Sequence, residues 1–430
     1  MMFRTSKENY LRTTRSLAAL AAIAATATAV SVAPAMADPV NTKYHAVTPH
    51  PWDVVGTGAG TQQYLVDALS VAYNASQQAH HKADTPSNPY LYSWDATPPT
   101  NPLDETQSIA TKPGCKAELR PNGASPGIKS LAKAGTVKYK YKGKTYTANC
   151  VDFARSSRSY SSTTDPVNGP GGVQFVVFAR DAVSYATTSN SNVPANLTTK
   201  QLAEIFNCAV PKGNGFLPNT WGALLGSKAK SPTSLIDPIL PQPGAGTLTF
   251  WLKTLKVKVT TASGEPACSS AVNLKATAQP EENEGIWNGF RVGGKATGAP
   301  NPNVLFPYSV GSWIEQAYHA PAPGKAPKPG QNKFGKDENG VLTVRSINGT
   351  APTQKVGKGK TAHVVINPSF SSAFKRTLFD VVRWAKGQSQ DIPAYEQRFF
   401  GKKGFFCSAA AFSIIEDYGF EPTVLCGSGE

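Results

Sequence analysis

Charged side chains are scarce in this 430-residue chain, where they make up only 17% of the residues. Groups that build catalytic or metal sites are scarce too. The six histidines follow no metal-ligand spacing, and there is no C-x-x-C pair or Cys/His cluster of the kind that holds zinc. Because both a metal cluster and an activated nucleophile are missing from the pattern, we expect no enzyme activity, no metal and no cofactor.

The amino-terminal segment has the parts of a signal peptide. Basic residues precede a long Ala/Leu/Thr/Val run from Ser16 to about Val32, and Ala35-Met36-Ala37 supplies the small-x-small pattern of a cleavage site. We predict that residues 1–37 are removed after Ala37. No Cys follows the run to carry a lipid anchor, and no second apolar run is long enough to span a membrane. The mature protein is therefore expected to be secreted.

The chain has six cysteines, all beyond the predicted signal peptide. An even number of cysteines in an exported protein favours disulfides over free thiols. Many pairings are possible in principle, and pairing each cysteine with its nearest neighbour in the sequence predicts Cys115–Cys150, Cys208–Cys268 and Cys407–Cys426.

The sequence is basic, with a formal net charge of +15. Such a charge suits nucleic acid, an anionic cell wall or an anionic solute. The lysines are scattered rather than gathered in one run, which argues against nucleic acid as a partner. Lysines and tyrosines alternate from Thr136 to Thr147, as they do in a nucleic-acid platform or in an ordinary hairpin. We expect the hairpin, with tyrosines packed inward and lysines in water.

Strand and helix patterns alternate along the chain, which favours an α/β fold. Asp53-Val54-Val55 leads through a glycine loop into a helix from Gln62 to Asn74, and Val173 to Phe178 is typical of a buried strand. Thr198 and Gln201 have capping-box spacing at a helix start. Apolar residues at helical spacing predict a further helix over Ala373–Lys386. The stretch from Ala79 to about Gly135 is expected to be largely irregular.

Two glycine-rich loops are the most informative feature of the sequence. Gly56–Thr61 and Pro241–Thr247 each precede a predicted helix, where free backbone N–H groups and the helix dipole favour an anion. Neither loop ends in the Gly-Lys-Ser/Thr of a P-loop, and Thr61 stands where the dinucleotide-binding pattern needs glycine. Together the loops predict a backbone cradle for a small anion.

Seven blocks of the sequence, in order, resemble the phosphate-binding proteins of bacterial ABC importers, and more narrowly their secreted actinobacterial branch. The blocks are VGTGAGTQQYLVDAL, CVDFARSSRS, VQFVVFARDAVSYA, NLTTKQLAEIFNC, LPQPGAGTLTFWL, FPYSVGSWI and DYGFEPT. The resemblance implies an α/β fold of the type II periplasmic-binding class, in which hinge strands join two lobes around a ligand cleft. It implies a first lobe of residues 38–172 and 306–430, a second of 173–305, and hinges near 174–178 and 306–309. Separately, the Pro/Gly/Lys-rich composition near 320–340 predicts an exposed loop.

The same resemblance implies a ligand site on three loops. Its residues are Gly60, Thr61, Gln62, Arg155, Ser156, Ser157, Arg158, Gly244, Ala245, Gly246 and Thr247. The family usually has an Asp at Ser157 that takes a proton from bound phosphate, an Arg and an Asp at Pro241 and Pro243, and a Ser at Ala245. The backbone donors are therefore kept, while the charged fork and the proton acceptor are lost, which makes the phosphate site degenerate. Arg155, Arg158 and Arg180 are the candidate replacement cations.

These features lead us to expect an exported, monomeric solute-binding protein that holds phosphate or another small anion between two lobes. An ABC permease or an anionic cell-wall polymer is the expected macromolecular partner. The alternative is a surface protein that keeps the fold and binds the cell wall through its charge. A third hypothesis, a phosphoester hydrolase, lacks support from a metal cluster or a nucleophile.

Overall fold

A computed structural model describes residues 38–43, 45–98, 106–188, 191–258, 261, 266–269, 291–292, 295–296, 301–319, 342–359, 362–384 and 392–430. The predicted signal peptide and the predicted loop near 320–340 lie outside the described residues. Those described belong to one compact unit. Across these ranges, no helix combines the length and the apolar character needed to cross a membrane.

Helices and strands alternate as the sequence pattern predicts. The helices are α1 (Gln63–Ala79), α2 (Ala124–Lys133), α3 (Thr199–Phe206), α4 (Trp221–Leu225), α5 (Gly246–Leu255), α6 (Val310–His319), α7 (Gln397–Phe400) and α8 (Ala409–Asp417). The strands are β1 (Val54–Gly58), β2 (Leu91–Ser93), β3 (Ser108–Ile109), β4 (Glu118–Leu119), β5 (Thr136–Tyr141), β6 (Lys144–Asn149), β7 (Phe153–Ser156), β8 (Val173–Thr188), β9 (Asn196–Leu197), β10 (Asp237–Pro238), β11 (Arg291–Val292), β12 (Lys295–Ala296), β13 (Val304–Ser309), β14 (Leu342–Val344), β15 (Ser346–Ile347), β16 (Thr353–Val356), β17 (His363–Ile366), β18 (Lys375–Arg383) and β19 (Glu421–Pro422).

A nine-stranded mixed sheet forms the centre, with the order β10-β13-β8-β18-β7-β1-β2 and with β14 and β19 also paired to β8. Strand β1 is parallel to β2 and β7, whereas β18 is antiparallel to both β7 and β8. This mixed sheet with its helices confirms the predicted α/β class. The predicted hinge segments near 174–178 and 306–309 lie on β8 and β13, and the predicted lobe boundaries stay a prediction.

Strand β8 is the longest strand, with 16 residues, and every one of them except Arg180 is buried. Its first half pairs with β18, and its far half also pairs with β13 and β14. The pairing with β18 slips once, because Leu378 lies opposite Ala179 while Phe379 lies opposite Val177. Phe178 is therefore an extra residue, which makes a β-bulge in the middle of the strand.

The helix predicted over Ala373–Lys386 is wrong, because this segment contains β18. Strand β18 lies between β7 and β8 in the sheet, and five successive residues in it are buried. A strand covered on both faces does not alternate apolar and polar residues, so its pattern can imitate that of a helix. The region before Gly135 is also more regular than expected, since it contains α2.

Several local predictions are confirmed. Thr198 and Gln201 form the predicted capping box at the start of α3. Strands β5 and β6 form the predicted hairpin, in which Tyr139 and Tyr141 pack on Trp52 with ring centroids 5.6 and 5.3 Å apart. The cysteines pair as predicted, in the bonds Cys115–Cys150, Cys208–Cys268 and Cys407–Cys426.

Candidate functional site

Three helices begin close together at one region of the central sheet. A short turn of 3-10 helix, Gly60–Gln62, leads from β1 into α1, and α5 begins at Gly246 in the second glycine-rich loop. Helix α6 begins at Val310, directly after β13. The free N–H groups of helix starts favour negative charge, so the region is suited to hold a carboxylate or another anion.

A buried ion pair joins these helix starts. Arg376 on β18 and Asp181 on β8 are direct cross-strand partners, and the Arg376 Nε donates to Asp181 Oδ2 at 2.9 Å. Arg376 Nη1 also donates to Thr247 Oγ1 at 2.9 Å, and its Nη2 to Thr61 Oγ1 at 3.3 Å. One guanidinium therefore links the hydroxyls of the first and third predicted loops.

Asp181 is held by donors from α6 as well. The N–H of Gly311 donates to Asp181 Oδ1 at 3.0 Å, in the first turn of that helix. Burial raises the pKa of Asp181 above its ordinary value, while Arg376, the Gly311 N–H and the Ser309 hydroxyl oppose the rise. Burial and these donor contacts therefore act on the charge of Asp181 in opposite directions.

The predicted loops also contact one another. The Ser312 hydroxyl donates to the carbonyl of Thr61 at 2.5 Å, which ties α6 to the first loop. Gly246 lies so close to Ser157 that a Cβ added there would be 2.0 Å from the Ser157 Oγ. The structure thus brings together Thr61, Ser157, Gly246 and Thr247. Gln62 is buried nearby and donates to the carbonyl of Phe379 at 3.3 Å.

Arg155, a predicted ligand residue, is fully buried beneath the first loop. Its Nε donates to the carbonyl of Ala59 at 3.0 Å and its Nη2 to that of Gly58 at 3.3 Å, while Nη1 donates to the Ser93 hydroxyl. Burial lowers the pKa of Arg155, and four buried carboxyl groups around it oppose that change: Asp67, Asp95, Asp38 and Asp380. In this arrangement Arg155 fixes the carbonyls of the loop that carries Thr61.

Arg158 is engaged at the edge of the cluster. It forms a bidentate ion pair with Asp165, with distances of 2.7 and 2.6 Å, and donates to Ser125 Oγ at 2.8 Å. Ser156, between the two arginines, donates to the carbonyl of Arg158 at 2.8 Å. Arg180 is about half exposed and lies 4.0 Å from Glu421. Arg376, which was not considered from the sequence, is the arginine that donates to both Thr61 and Thr247.

The third loop is bonded to the segment that starts α2. The Ser125 N–H donates to the carbonyl of Gly244 at 3.0 Å, and Gln242 Nε2 donates to Asn122 Oδ1 at 3.0 Å. Ala245 caps α5 and is buried. A cavity of about 530 Å³ lies beside this junction, between Gln242 and Lys129. The cavity is lined by α2 and the loop, whereas Thr61, Thr247 and Arg376 lie buried away from it.

The expectation that the sequence has no nucleophile motif needs one correction, because Gly123–Gly127 matches the G-x-S-x-G pattern of serine hydrolases, with Ser125 at its centre. The Ser125 hydroxyl accepts hydrogen bonds from the Arg158 guanidinium at 2.8 and 3.3 Å. A guanidinium stays protonated and cannot remove the hydroxyl proton, as a general base must. The pattern therefore gives no support to hydrolysis at Ser125.

Comparisons with known proteins give fold neighbours and nothing closer: no family model matches the chain, and no curated protein matches its sequence. An ABC-type phosphate transport receptor from Vibrio cholerae matches with 12% identity and a TM-score of 0.43, over 86% of this chain and 99% of that one. A human phosphate binding apolipoprotein matches with 15% identity and a TM-score of 0.43, over 86% and 91%. A phosphate-binding protein from Stenotrophomonas maltophilia matches with 15% identity and a TM-score of 0.38, over 87% and 91%.

The names of all three neighbours refer to phosphate transport or phosphate binding. At such identities and TM-scores they do not decide which ligand this chain binds. The function is therefore inferred from the side chains of the site.

Proposed function

We propose that this chain is an exported binding protein of the phosphate-binding type, which holds phosphate or another small oxyanion where Arg376, Thr61 and Thr247 meet. The observation that carries the proposal is the buried Arg376 guanidinium, bonded to both threonine hydroxyls at the starts of α1 and α5. A guanidinium fork and hydroxyl groups are the donors that an oxyanion uses best. No chemical step is assigned to the site.

The proposed site supplies an arginine and an aspartate in place of those that, by the family resemblance, are missing from the third loop. Pro241 and Pro243 stand where the family has its Arg and Asp, but Arg376 and Asp181 bring the same pair of charges from two strands of the sheet. The carboxylate of Asp181 can accept a hydrogen bond from an oxyanion that carries a proton at neutral pH. Phosphate carries such a proton and sulfate does not, so the proposed site favours phosphate.

Entry of the ligand requires the loops to part. Arg376, Thr61 and Thr247 are buried, and hydrogen bonds from Ser125 and Gln242 join the α2 segment to the third loop. In the proposed cycle these bonds open to admit the anion and re-form around it. Closure of two lobes, which the sequence predicts, would supply that movement.

Export is part of the proposal, as are delivery to an ABC permease, a monomeric state and membership of the actinobacterial branch. Cleavage after Ala37 would make Asp38 the first residue of the mature chain. Asp38 is buried and accepts from Arg120 Nη1 at 2.6 Å and from the Asp95 N–H at 2.5 Å. The residue after the predicted cleavage site is therefore already part of the core. Cell-wall binding through charge stays the alternative prediction.

Isothermal titration calorimetry tests the anion site. Phosphate and sulfate would each be titrated into the chain lacking residues 1–37, into Thr247→Val and Arg376→Lys, and into the control Arg180→Lys. Thr247→Val removes one hydroxyl with little change of shape, and Arg376→Lys keeps the charge but loses the fork. We expect phosphate to bind more tightly than sulfate. Each site variant should lower the affinity for phosphate by about tenfold or more, since one charge-assisted hydrogen bond contributes roughly 1.5–3 kcal/mol.

The control Arg180→Lys should bind phosphate as the unmodified chain does, because Arg180 is about half exposed and paired with Glu421. Equal phosphate affinity in all four proteins would place the ligand elsewhere. If none of the four proteins binds phosphate or sulfate although their circular dichroism shows that they are folded, the anion site is refuted.

A further inference from the structure

A second polar cluster lies at the opposite edge of the sheet from the candidate anion site. Strands β1 and β2 are parallel, and the anion site follows the carboxyl end of β1. His50 and Asp53 lie in the turn that precedes β1, and Asp84 lies in the loop between α1 and β2. The cluster therefore joins the two segments that enter the parallel strands.

One atom from each of these three side chains points to a common place. The His50 Nδ1 lies 2.6 Å from Asp84 Oδ2 and 3.6 Å from Asp53 Oδ2. The three atoms all lie within 4.8 Å of one another. When three ligand atoms each lie about 2.0–2.2 Å from one ion, the distances between them are of the same order as those between these three atoms. Small side-chain shifts would therefore allow all three to coordinate one ion.

The carboxylates of the cluster are oriented from behind by other donors. Asp53 Oδ1 accepts from the Tyr90 N–H at 3.0 Å, while Oδ2, the oxygen that faces the imidazole, accepts from the His50 N–H at 2.7 Å. Asp84 Oδ1 accepts from the Trp52 indole Nε1 at 2.7 Å, which leaves Oδ2 directed to the imidazole. Trp52 also stacks on the His50 ring, with centroids 4.5 Å apart and planes 6° apart. Such supporting contacts are what holds metal ligands in place in known sites.

We propose that His50, Asp53 and Asp84 form a binding site for a divalent transition-metal ion of the Zn²⁺ class. When the ion displaces the proton that His50 shares with Asp84, two carboxylates and a neutral imidazole balance its charge, and imidazole favours Zn²⁺ over Mg²⁺ or Ca²⁺. The His50 side chain is 55% exposed, so water can complete the coordination. The bound ion cross-links the turn before β1 to the loop before β2 and thereby stabilises this edge of the sheet.

Zn²⁺ binding can be followed directly. The chain lacking residues 1–37 would be freed of metal with EDTA, dialysed, and titrated with ZnCl₂ in a calorimeter and in a fluorimeter. We expect one equivalent to bind with micromolar or tighter affinity, and the Trp52 emission to change because its stacking partner becomes a ligand. Bound Zn²⁺ should also raise the melting temperature, since it binds the folded chain.

Four variants distinguish this site from nonspecific binding by surface histidines. His50→Gln and Asp84→Asn each remove one ligand, and we expect each to weaken Zn²⁺ at least tenfold. His45→Gln removes an exposed histidine five positions away and should leave the affinity unchanged. Trp52→Phe keeps an aromatic ring on His50 but removes the donor to Asp84, and should weaken Zn²⁺ less than His50→Gln does.

Equal affinities in all variants, or no saturable binding of one equivalent below millimolar Zn²⁺, would overturn the proposal. If Asp84→Asn lowers the melting temperature without Zn²⁺, the affinity of the folded His50→Gln variant decides. Thr247→Val should bind Zn²⁺ normally, so the outcome is independent of the anion site.

Discussion

Replacing Arg376 by Met is expected to destabilise the protein by about 3–5 kcal/mol, because it leaves a buried carboxylate without its cation. The side chains of Arg376 and Asp181 are only 3% and 0% exposed, and their closest atoms lie 2.8 Å apart. Thr61 and Thr247 lose a hydrogen-bond donor in the same variant. Met has a similar length, so the loss should come from charge and hydrogen bonding more than from packing.

The loss should depend on pH in a definite direction. Burial already raises the pKa of Asp181, and Arg376 opposes that rise. In Arg376→Met the folded-state pKa rises further above the unfolded value, so the folded variant binds more protons than its unfolded chain does. Its stability is then greatest below the unfolded pKa and falls as the pH rises. Lowering the pH should therefore reduce the difference in the free energy of unfolding between the variant and the unmodified protein.

Urea unfolding, followed by fluorescence with disulfides intact, would measure these free energies. The double variant Asp181→Asn/Arg376→Met should be less destabilised than the sum of the two single variants, because the buried charge is gone. The control Arg180→Met should cost about 0–1 kcal/mol, since Arg180 is 46% exposed and lies 4.0 Å from Glu421. A cost for Arg376→Met no larger than that of the control would refute the reasoning, as would strict additivity in the double variant.

Three further outcomes are expected. Burial raises the pKa of Asp380 to about 8, with Arg155 opposing, so this carboxyl costs stability as the pH rises toward 8. In Asp380→Asn the melting temperature should therefore change less with pH between pH 5 and 8, and an unchanged dependence on pH would contradict the assignment. Gly246→Ala places a Cβ 2.0 Å from Ser157 Oγ, and should cost about 1–3 kcal/mol in urea unfolding and weaken phosphate in calorimetry. Cys115→Ser/Cys150→Ser opens a loop with a sequence separation of 35, and should cost roughly 4 kcal/mol in the chain-entropy description; a loss below 1 kcal/mol would show that the unfolded chain is constrained in another way.

Local features were predictable from the sequence because their determinants lie close together in it. The Thr198–Gln201 capping box needs residues three positions apart, and both glycine loops lie at helix starts as expected. Nearest-neighbour pairing of the cysteines was sufficient for all three disulfides. In each case no information about distant strands was needed.

The centre of the candidate site was not predictable in this way. Arg376 and Asp181 are 195 positions apart in the sequence and meet only through the register of β8 and β18. The apolar pattern around Arg376 imitates a helix, because β18 is buried between two neighbouring strands. The local sequence carried no signal for the pair, because Arg376 lies between Lys375 and Thr377 and Asp181 directly follows Arg180.

The direction of a side chain is the other quantity that sequence does not give. Arg155 follows a predicted strand and was expected at the ligand, yet its guanidinium lies below the first loop among buried carboxyl groups. Likewise, His50 and Asp84 come together because α1 returns the chain to the edge of β1. Spacing of the histidines along the sequence does not contain that contact.

The bulge at Phe178 determines which face of the sheet each later side chain of β8 lies on. Val176 packs in the same core cluster as both Phe178 and Ala179, so two consecutive residues of β8 face one side of the sheet. Every position beyond the bulge, Asp181 included, is thereby shifted from one face to the other. If Phe178 instead took a regular place in the ladder, strict alternation would put Asp181 on the other face of the sheet, away from Arg376, whose side is set by β18. One inserted residue thus decides which side of the sheet carries the charge.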